Sequence, residues 1–230
     1  TFDVGIFTNC TQDHLDFFKT MQNYARVKKS YFTDKYVKNA VVNADDELGR
    51  EILKILPSAT YAINNDADIT AQDLLLEKDG SEYVVNFGNQ TAKVTSRLAG
   101  RFNVYNSLAA ITCATVLGVD VDTSVNAVKE VNVVNGRNET IIRSDGARVV
   151  IDFAHTPDGI HNILSFLKST TKGRLIVVFG CGGNRDKFKR PLIAEQVSEY
   201  ADFAVLTNAN PRYAAPTLIA NAVAERVTGK

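Results

Sequence analysis

Two residues near the start of the chain have side chains that suit a metal or phosphate site. His14 lies in the stretch FTNCTQDHLDFF, just after an apolar run that predicts a buried strand. Open α/β sheets bind ligands where strands end, and a carboxylate beside an imidazole orients it as a metal ligand. Lys28 lies on the next predicted helix, and a lysine that loses its proton can take up carbon dioxide as a carbamate. A loop histidine between exposed carboxylates and a solvated lysine are the alternative interpretations.

Two further groups of polar residues suit a nucleotide. Asn103 and Asn106 lie three apart at a predicted helix start, so both amides face one side and match the N6/N7 edge of adenine. Arg137 lies in a predicted hinge and suits phosphate. Asp152 and His155 follow a predicted strand, where a carboxylate can accept from ribose hydroxyls. The alternatives are helix capping by Asn103 and Asp152 and a hinge ion pair made by Arg137.

Glycines and cations follow a strand in the stretch VVFGCGGNRDKFKRP. The glycines let backbone approach a ligand, and the cations are Arg185, Lys187, Lys189 and Arg190. A dinucleotide fingerprint is excluded, because Arg185 stands where its third glycine belongs and the next strand leads to Asn208 rather than an acid. A tight turn with a solvated basic tail is the alternative.

The next predicted strand end carries a second group suited to carboxylates. It consists of Ala209, Asn210, Pro211 and Arg212. Adjacent strand-end loops of a parallel sheet lie close together, so an arginine on each could clamp a carboxylate. An Asn-Pro turn with an exposed arginine is the alternative.

The elements that must position these residues alternate between apolar strands and amphipathic helices. The alternation predicts an α/β fold, and after residue 136 it predicts a parallel sheet covered on both faces, with the segment RVVID as one of its strands. A helix is predicted over residues 51–57, and Asp122 or Thr123 as the N-cap of another helix. Turn-rich sequence at residues 132–136 predicts a domain boundary, with domains at 1–134 and 135–230.

The composition excludes several functional classes. Hydrophobic residues make up 45% of the chain and the formal net charge is zero, which fits a globular protein and disfavours nucleic acid or an anionic membrane as partner. The three cysteines have no C-x-x-C spacing, so neither a disulfide framework nor a zinc site is expected, and a cytoplasmic location is favoured. Since no apolar run is long enough to span a bilayer, membrane insertion is not expected.

The motifs in this order resemble those of the Mur ligase family, over nearly the whole chain. The matching stretches are FTNCTQDHLDFFKTMQNYARVKKSYF, GRFNVYNSLAA, GRNE, IDFAHTPDGI, FGCGGNRDKFKRPL and NPR. The resemblance implies the back half of a P-loop-type ATPase domain followed by the front half of a Rossmann-like, parallel-sheet domain that binds an amino acid. It further implies a magnesium- and ATP-dependent ligase of peptidoglycan synthesis.

The branch that it resembles adds the third residue of the stem peptide, meso-diaminopimelate or L-lysine. The partners implied are UDP-N-acetylmuramoyl-L-alanyl-D-glutamate and the incoming amino acid, and the full-length protein is expected to be a monomer. The substrate carboxylate would be activated by ATP as an acyl phosphate, which the amine of the amino acid then attacks.

The resemblance also implies a role for each motif residue. His14 matches a magnesium ligand, and Lys28 matches a lysine whose carbamate supports that magnesium and the terminal phosphate. Asn103 and Asn106 match residues that contact adenine, and Arg137 and Asp152, with His155 nearby, match residues that hold ATP. The residues implied to bind the incoming amino acid are Arg185 and the segment Ala209, Asn210, Pro211 and Arg212.

Two departures from the family pattern have consequences. Ala209 stands where the family has an acid that would pair with an ammonium of the amino acid, while Arg212 favours a substrate with a distal carboxylate, so diaminopimelate is preferred over lysine. No G-x-x-x-x-G-K-S/T phosphate loop occurs, so the chain is expected to be an interior piece that is inactive alone. The alternative functions are a folylpolyglutamate synthase-like ligase and a non-catalytic nucleotide-binding module.

Overall fold

The computed structural model describes residues 1–183 and 186–224, and their contacts divide the chain into two units. Unit 1 comprises residues 1–10 and 25–150, and unit 2 comprises residues 11–24 and those from 151 onward. The strands are β1 (Phe2–Phe7), β2 (Val37–Asn43), β3 (Ser58–Ala62), β4 (Ile69–Glu77), β5 (Gly80–Phe87), β6 (Gln90–Ser96), β7 (Glu139–Ile142), β8 (Arg148–Ile151), β9 (Ile176–Phe179) and β10 (Phe203–Leu206). The helices are α1 (Leu15–Phe18), α2 (Met21–Ser30), α3 (Glu47–Ile52), α4 (Arg101–Val116), α5 (Val121–Glu130), α6 (Pro157–Thr170), α7 (Lys189–Tyr200) and α8 (Pro216–Ala224).

Unit 1 is built on a six-stranded sheet with the order β1-β2-β3-β4-β5-β6. The strands β1 to β4 pair in parallel, and β4, β5 and β6 continue as antiparallel neighbours. Alternate residues of a strand point to opposite faces, so Val41 packs in a core with Val104 and Leu108 of α4, whereas Val42 packs with Ile52 of α3. The prediction of an α/β fold is confirmed.

Polar side chains fix the loops at the carboxyl ends of β1 and β2. Because these parallel strands are neighbours, their ends meet at the same edge of the sheet. Asn43 Nδ2 donates to the Thr8 carbonyl at 2.8 Å, and Asp46 Oδ2 accepts from the Cys10 backbone N–H at 3.0 Å. The other oxygen of Asp46 accepts from the Leu48 backbone N–H and so caps α3. The loop that follows β1 is therefore held in place by side chains at the end of β2.

Two local predictions were wrong and one strand was not recognised, each for a reason visible in the structure. The helix predicted over residues 51–57 is α3, which begins at Glu47 because Asp46 caps it. The N-cap of α5 is Asp120, whose carboxylate accepts from the Thr123 N–H, rather than Asp122 or Thr123. Strand β4 lies within residues 60–95, which the sequence indicates as β structure, but it was not recognised as a separate strand. Asp73, at φ 53°, lies where the pairing of β4 with β5 shifts register and interrupts the alternation of side chains.

Unit 2 contains a parallel pair of strands, β9 and β10, and the helices α6, α7 and α8. Val177 and Phe179 of β9 are buried, as are Ile163 of α6 and Ile193 of α7. The alternate residues of both strands are exposed and apolar: Ile176, Val178, Phe203 and Val205. Among the described residues, this pair of strands has one well-buried face and one bare apolar face.

Strand β8, which contains most of the segment RVVID, pairs with β7 in a separate two-stranded sheet. The prediction that this segment belongs to the parallel sheet of the second domain was therefore wrong for the part of the chain that is described. The short connection after Arg143, with Gly146 at φ 82°, lets β8 return beside β7, and this local pairing prevails. No helix within residues 1–183 and 186–224 is long and apolar enough to cross a membrane.

Candidate active site

His14 lies in unit 2, on the short segment that precedes α1. Its backbone has a left-handed conformation with φ 57°, and its side chain is about half exposed. Nε2 of the imidazole lies 3.3 Å from Asp13 Oδ2, and the ring packs edge-on against Tyr24 at 6.1 Å between centroids. A carboxylate against one ring nitrogen leaves Nδ1 as the nitrogen available to a ligand. This geometry fits the predicted role of His14.

Asp13 is the most connected carboxylate near His14, and the sequence reading did not select it. Its Oδ1 accepts from the Lys189 ammonium at 3.0 Å and from the His14 backbone N–H at 2.9 Å, and its Oδ2 lies 3.5 Å from Nε2 of His155. Burial alone raises the pKa of Asp13, but the bonds from Lys189 and His14 outweigh it, so this pKa lies below its ordinary value. The only signal in the sequence was the acid beside His14, which looked like a solvated loop residue.

Lys28 lies in unit 1, on α2, where its Nζ donates to the Asn9 carbonyl at 2.8 Å. This contact places the amine at the carboxyl end of β1, where open α/β sheets bind ligands. The adjacent Lys29 instead pairs with Glu51 at 2.5 Å on the surface. His14 and Lys28 fall in different units, so their predicted convergence on a terminal phosphate stays a prediction.

The described residues fit a magnesium ion only if waters and phosphate oxygens supply most of its ligands. Within the described ranges, no group of three or more His, Cys, Asp or Glu side chains could hold a metal. Magnesium in nucleotide enzymes usually has one or two protein ligands, with waters and phosphate oxygens completing the shell. A carbamate on Lys28 would supply oxygen ligands that the amine lacks, which agrees with this ligand preference.

Unit 1 contains a cavity of about 280 Å³ that brings together two of the predicted nucleotide residues, Asn103 and Arg137. The residues around it are Lys78, Asp79, Arg97, Leu98, Ala99, Asn103, Asn132, Val133, Arg137, Asn138, Thr140 and Ile142. Its charged side chains are three cations and one carboxylate, so the electrostatics favour an anionic ligand.

The amide of Asn103 is fixed within this cavity by its own helix. Its Nδ2 donates to the Ala99 carbonyl at 2.9 Å, and its Oδ1 accepts from Asn106 Nδ2 at 3.3 Å. The same Ala99 carbonyl accepts from Asn138 at 3.3 Å, which ties the loop of Arg137 to the start of α4. Asn106 is exposed and does not line the cavity, so the structure couples the two predicted amides without placing both on the cavity wall.

Asp152 and His155 lie in unit 2, in the loop before α6. Asp152 Oδ1 accepts from the Ala154 backbone N–H at 2.7 Å, and Thr156 caps α6. His155 Nδ1 lies 3.0 Å from the Phe153 carbonyl, while its Nε2 faces Asp13. One oxygen of Asp152 thus serves the loop, but Asp152 does not cap α6 as the alternative interpretation proposed, because Thr156 is the N-cap. His155 shares its carboxylate partner with His14.

The glycine-rich loop and the Ala209–Arg212 segment pack backbone to backbone. Gly183 donates to the Asn210 carbonyl at 3.1 Å, and a Cβ at Gly183 would lie 1.7 Å from the Pro211 carbonyl oxygen. Asn210 and Arg212 have φ 46° and 53° and are exposed. The expected proximity of these two strand-end loops is therefore observed. The predicted site residue Arg185 lies outside the described residues.

A carboxylate network at the ends of β2 and β3 was also missed. Asp45 accepts from the backbone N–H groups of Ile63 and Asn64, from Asn65 and from the Tyr105 hydroxyl at 2.7 Å. Burial raises the pKa of Asp45, but these bonds outweigh it and lower the pKa overall. Burial and the bond to Asp45 raise the pKa of Tyr105 to about 12. The network joins α4, which carries Asn103, to the sheet.

Comparisons with known proteins agree with the motifs. The Mur ligase middle domain matches residues 1–114, and the Mur ligase glutamate ligase domain matches residues 136–229. A UDP-N-acetylmuramoyl-L-alanyl-D-glutamate--2,6-diaminopimelate ligase from Bacillus velezensis is 39% identical over 237 aligned positions, covering 99% of this chain and 48% of that protein. The chain thus spans about half the length of the curated relatives it matches.

Solved structures place the chain in the same group. A structure of a ligase with the same name covers 99% of this chain and 47% of its own, with 32% identity and a TM-score of 0.64. A folylpolyglutamate synthase from Mycobacterium tuberculosis covers 97% of this chain and 52% of its own, with a TM-score of 0.78 and 21% identity, so it shares the fold alone. The two domain matches together with these relatives show that the chain belongs to the Mur ligase family.

Proposed function

We propose that this chain acts in an ATP-dependent ligase of peptidoglycan precursor synthesis, which adds meso-diaminopimelate to UDP-N-acetylmuramoyl-L-alanyl-D-glutamate. The observation that carries the proposal is the 39% identity, over 99% of the chain, to a relative that bears this activity as its name. Because the chain spans about half of that relative, the proposal concerns the protein expressed from the gene that encodes it.

The proposed reaction has two steps. An oxygen of the dipeptide carboxylate attacks the γ-phosphorus of ATP, and ADP leaves. The amine of diaminopimelate then attacks the carbonyl carbon of the acyl phosphate, and inorganic phosphate leaves as the amide forms. Magnesium, when bound, would offset charge on the phosphate oxygens. His14 and a carbamate on Lys28 would hold that ion.

The cavity of unit 1 supports a nucleotide site. Asn103 presents an amide fixed by Ala99, and Arg137 contributes a guanidinium suited to phosphate. We assign Asn103, Asn106 and Arg137 to ATP, together with Asp152 and His155 from unit 2. The excess of cations around the cavity suits the charge of a nucleotide.

The packed strand-end loops of unit 2 support an amino-acid site. We assign Arg185 and Arg212 to the carboxylates of the incoming amino acid, and Ala209, Asn210 and Pro211 to the same site. A distal carboxylate distinguishes diaminopimelate from lysine, and a guanidinium fork matches it with two parallel bonds. We further propose that the protein is a monomer and that it is located in the cytoplasm, where it would meet its nucleotide-linked substrate.

The adjacent lysines of α2 provide the test. In the protein expressed from the full gene, we expect Lys28→Met to lower kcat for ligation by about 100-fold or more, since the proposed carbamate ligand of the magnesium ion is lost. Lys29→Met removes only a surface pair with Glu51 and should leave kcat within about twofold. Product formation from the muramoyl dipeptide, ATP and diaminopimelate is the measurement. No ligation by the unaltered protein would refute the proposal.

A folylpolyglutamate synthase-like activity has less support. Its structural match is 21% identical, which shows a common fold only. Substituting folate and glutamate for the muramoyl dipeptide and diaminopimelate in the same assay separates the two activities. Turnover of folate alone would favour this alternative.

A further inference from the structure

The segment 11–24 carries His14 but has no buried residue to hold it in place. Every residue of the segment is exposed or half-buried, and neither α1 nor α2 contains a buried side chain. Three of its rings contact one another: Phe17 lies edge-on to Phe18 at 4.9 Å, and Phe18 stacks on Tyr24 at 5.1 Å. Since apolar burial is the main source of packing energy, the position of this segment within unit 2 must depend on polar contacts.

Two polar contacts join the segment to the stretch 186–189 at the start of α7. The Lys189 ammonium donates to Asp13 Oδ1 at 3.0 Å, and Gln12 Nε2 donates to Asp186 Oδ2 at 3.3 Å. Lys189 and Asp186 are both buried, and Asp186 is itself fixed by the Phe188 backbone N–H at 2.9 Å. The partners on the α7 side are therefore buried, whereas Gln12 and Asp13 of the segment are only half-buried.

The Lys189–Asp13 pair lies in an environment where removing one charge is costly. The Lys189 side chain is 9% exposed and that of Asp13 is 15% exposed. A charge left without its partner in such a place is poorly solvated, so loss of either group disfavours the docked position. The Lys168–Asp202 pair of the same unit is shorter, at 2.7 Å, but its side chains are 43% and 35% exposed, and surface pairs contribute little.

We infer that Lys189 is a positioning residue: by holding Asp13, it fixes the segment 11–24 and with it the imidazole of His14. One carboxylate connects both groups, because Asp13 Oδ1 receives Lys189 while Oδ2 faces Nε2 of His14. The role of His14 in this inference rests on the proposed function. The tether itself is a property of unit 2 and can be tested without any activity.

Hydrogen exchange tests the tether. In Lys189→Met, which keeps the aliphatic stem, we expect backbone amides of residues 11–24 to exchange about tenfold faster, because the segment undocks more often. Lys168→Met breaks the surface pair of the same unit and should leave those amides unchanged. Equal exchange in Lys189→Met and the unaltered protein would overturn the inference.

A double-mutant cycle keeps the test decisive if one variant folds poorly. Asp13→Asn should accelerate the same amides from the other side of the pair, and Lys189→Arg should retain protection. The double variant Asp13→Asn/Lys189→Met should exchange no faster than either single variant, since both remove one contact. Additive acceleration would show that the two residues act independently and would overturn the inference.

The positioning role has its own measurement in the ligation assay. In Lys189→Met, the magnesium concentration that gives half-maximal rate should rise about tenfold, while kcat at saturating magnesium stays within about twofold. Faster exchange with an unchanged magnesium dependence would reduce the pair to a structural tether and overturn the positioning role. If the unaltered protein does not ligate at all, the proposed function fails, whereas the exchange results still decide the tether.

Discussion

At the residue scale, Asp45 and Asp13 show two uses of a partly buried carboxylate. Asp45 accepts bonds from the chain ends of β3 and from Tyr105, all of which are structural groups of unit 1. Asp13 instead faces two imidazoles and a lysine, which are groups that can meet a ligand. The two carboxylates therefore differ in their partners rather than in their burial.

The pKa of Asp45 leads to a prediction about stability against pH. Because the pKa of folded Asp45 lies below the unfolded value of about 3.9, its stabilisation is complete above about pH 5 and is lost as the pH falls through the folded pKa. Asp45→Asn should therefore lower the free energy of unfolding by about 1–2 kcal/mol at pH 7 and by less near pH 4. Urea unfolding at both pH values is the measurement.

Asp34, an exposed aspartate, provides the control. Asp34→Asn should change the free energy of unfolding by less than about 0.5 kcal/mol at either pH. A loss in Asp45→Asn that is the same at pH 4 and pH 7 would contradict the linkage.

Ala209 gives a prediction about the amino-acid substrate. Its place in the family motif belongs to an acid that would pair with an ammonium, and Ala209 is half-buried beside Gly180. Ala209→Asp should lower KM for meso-diaminopimelate about three- to tenfold, since it adds a charge-assisted bond. The neutral Ala209→Asn is the matched control. The measurement is steady-state kinetics with meso-diaminopimelate and with L-lysine. An equal decrease in KM for the two variants would argue against charge pairing.

At the element scale, the close approach of two strand-end loops depends on a glycine. A Cβ at Gly183 would lie 1.7 Å from the Pro211 carbonyl oxygen, and this oxygen belongs to backbone that cannot rotate away. Gly183→Ala should therefore push the loops apart and lower the free energy of unfolding by about 1–3 kcal/mol. It should also raise KM for the amino acid more than KM for ATP.

Gly173 is the control for this substitution, because a Cβ there meets nothing within 4 Å. Gly173→Ala should leave the thermal midpoint and both KM values almost unchanged. An unaffected midpoint in Gly183→Ala would mean that the two loops are not packed as described.

The elements show what a single sequence could and could not predict. The apolar runs of β1, β2, β5, β9 and β10 and the amphipathic pattern of α6 were recognisable, because buried strands and one-sided helices leave a periodic signal. Strand β4 left none, since Asp73 breaks its alternation at a register shift. The partner of β8 was also unpredictable, because apolar content does not say which strand a segment pairs with.

The candidate site follows the same division. Resemblance selected His14, Lys28, Asn103 and Arg137 by residue type and spacing. The pair of Asp13 and Lys189, which supports His14, was not predicted, because contacts between positions 176 apart in the chain have no local signature. The spacing of residues within one element indicates which of them could bind a ligand. Contacts made to those residues by another element become visible only in the three-dimensional structure.

At the scale of the whole molecule, nucleotide binding gives a measurable stabilisation. A ligand that binds only the folded protein raises the free energy of unfolding by about 2.7 kcal/mol at 100 times its Kd. ATP with magnesium should therefore raise the thermal midpoint, and NADH should not. Arg137→Met should reduce the ATP shift, whereas Arg143→Met, which breaks an exposed pair with Asp145, should not. Equal shifts with ATP and NADH would argue against an ATP site.

The bare apolar side of β9 and β10 has a practical consequence for anyone who handles this polypeptide. The exposed face of the two-stranded sheet of β9 and β10 is apolar, with Ile176, Val178 and Phe203 accessible to solvent. Exposed apolar surface of this kind promotes self-association of the chain, and self-association increases with protein concentration. A low protein concentration or a polar substitution at Val178 should reduce this aggregation. At high concentration the folded chain should aggregate, which light scattering would detect, under conditions where it does not unfold.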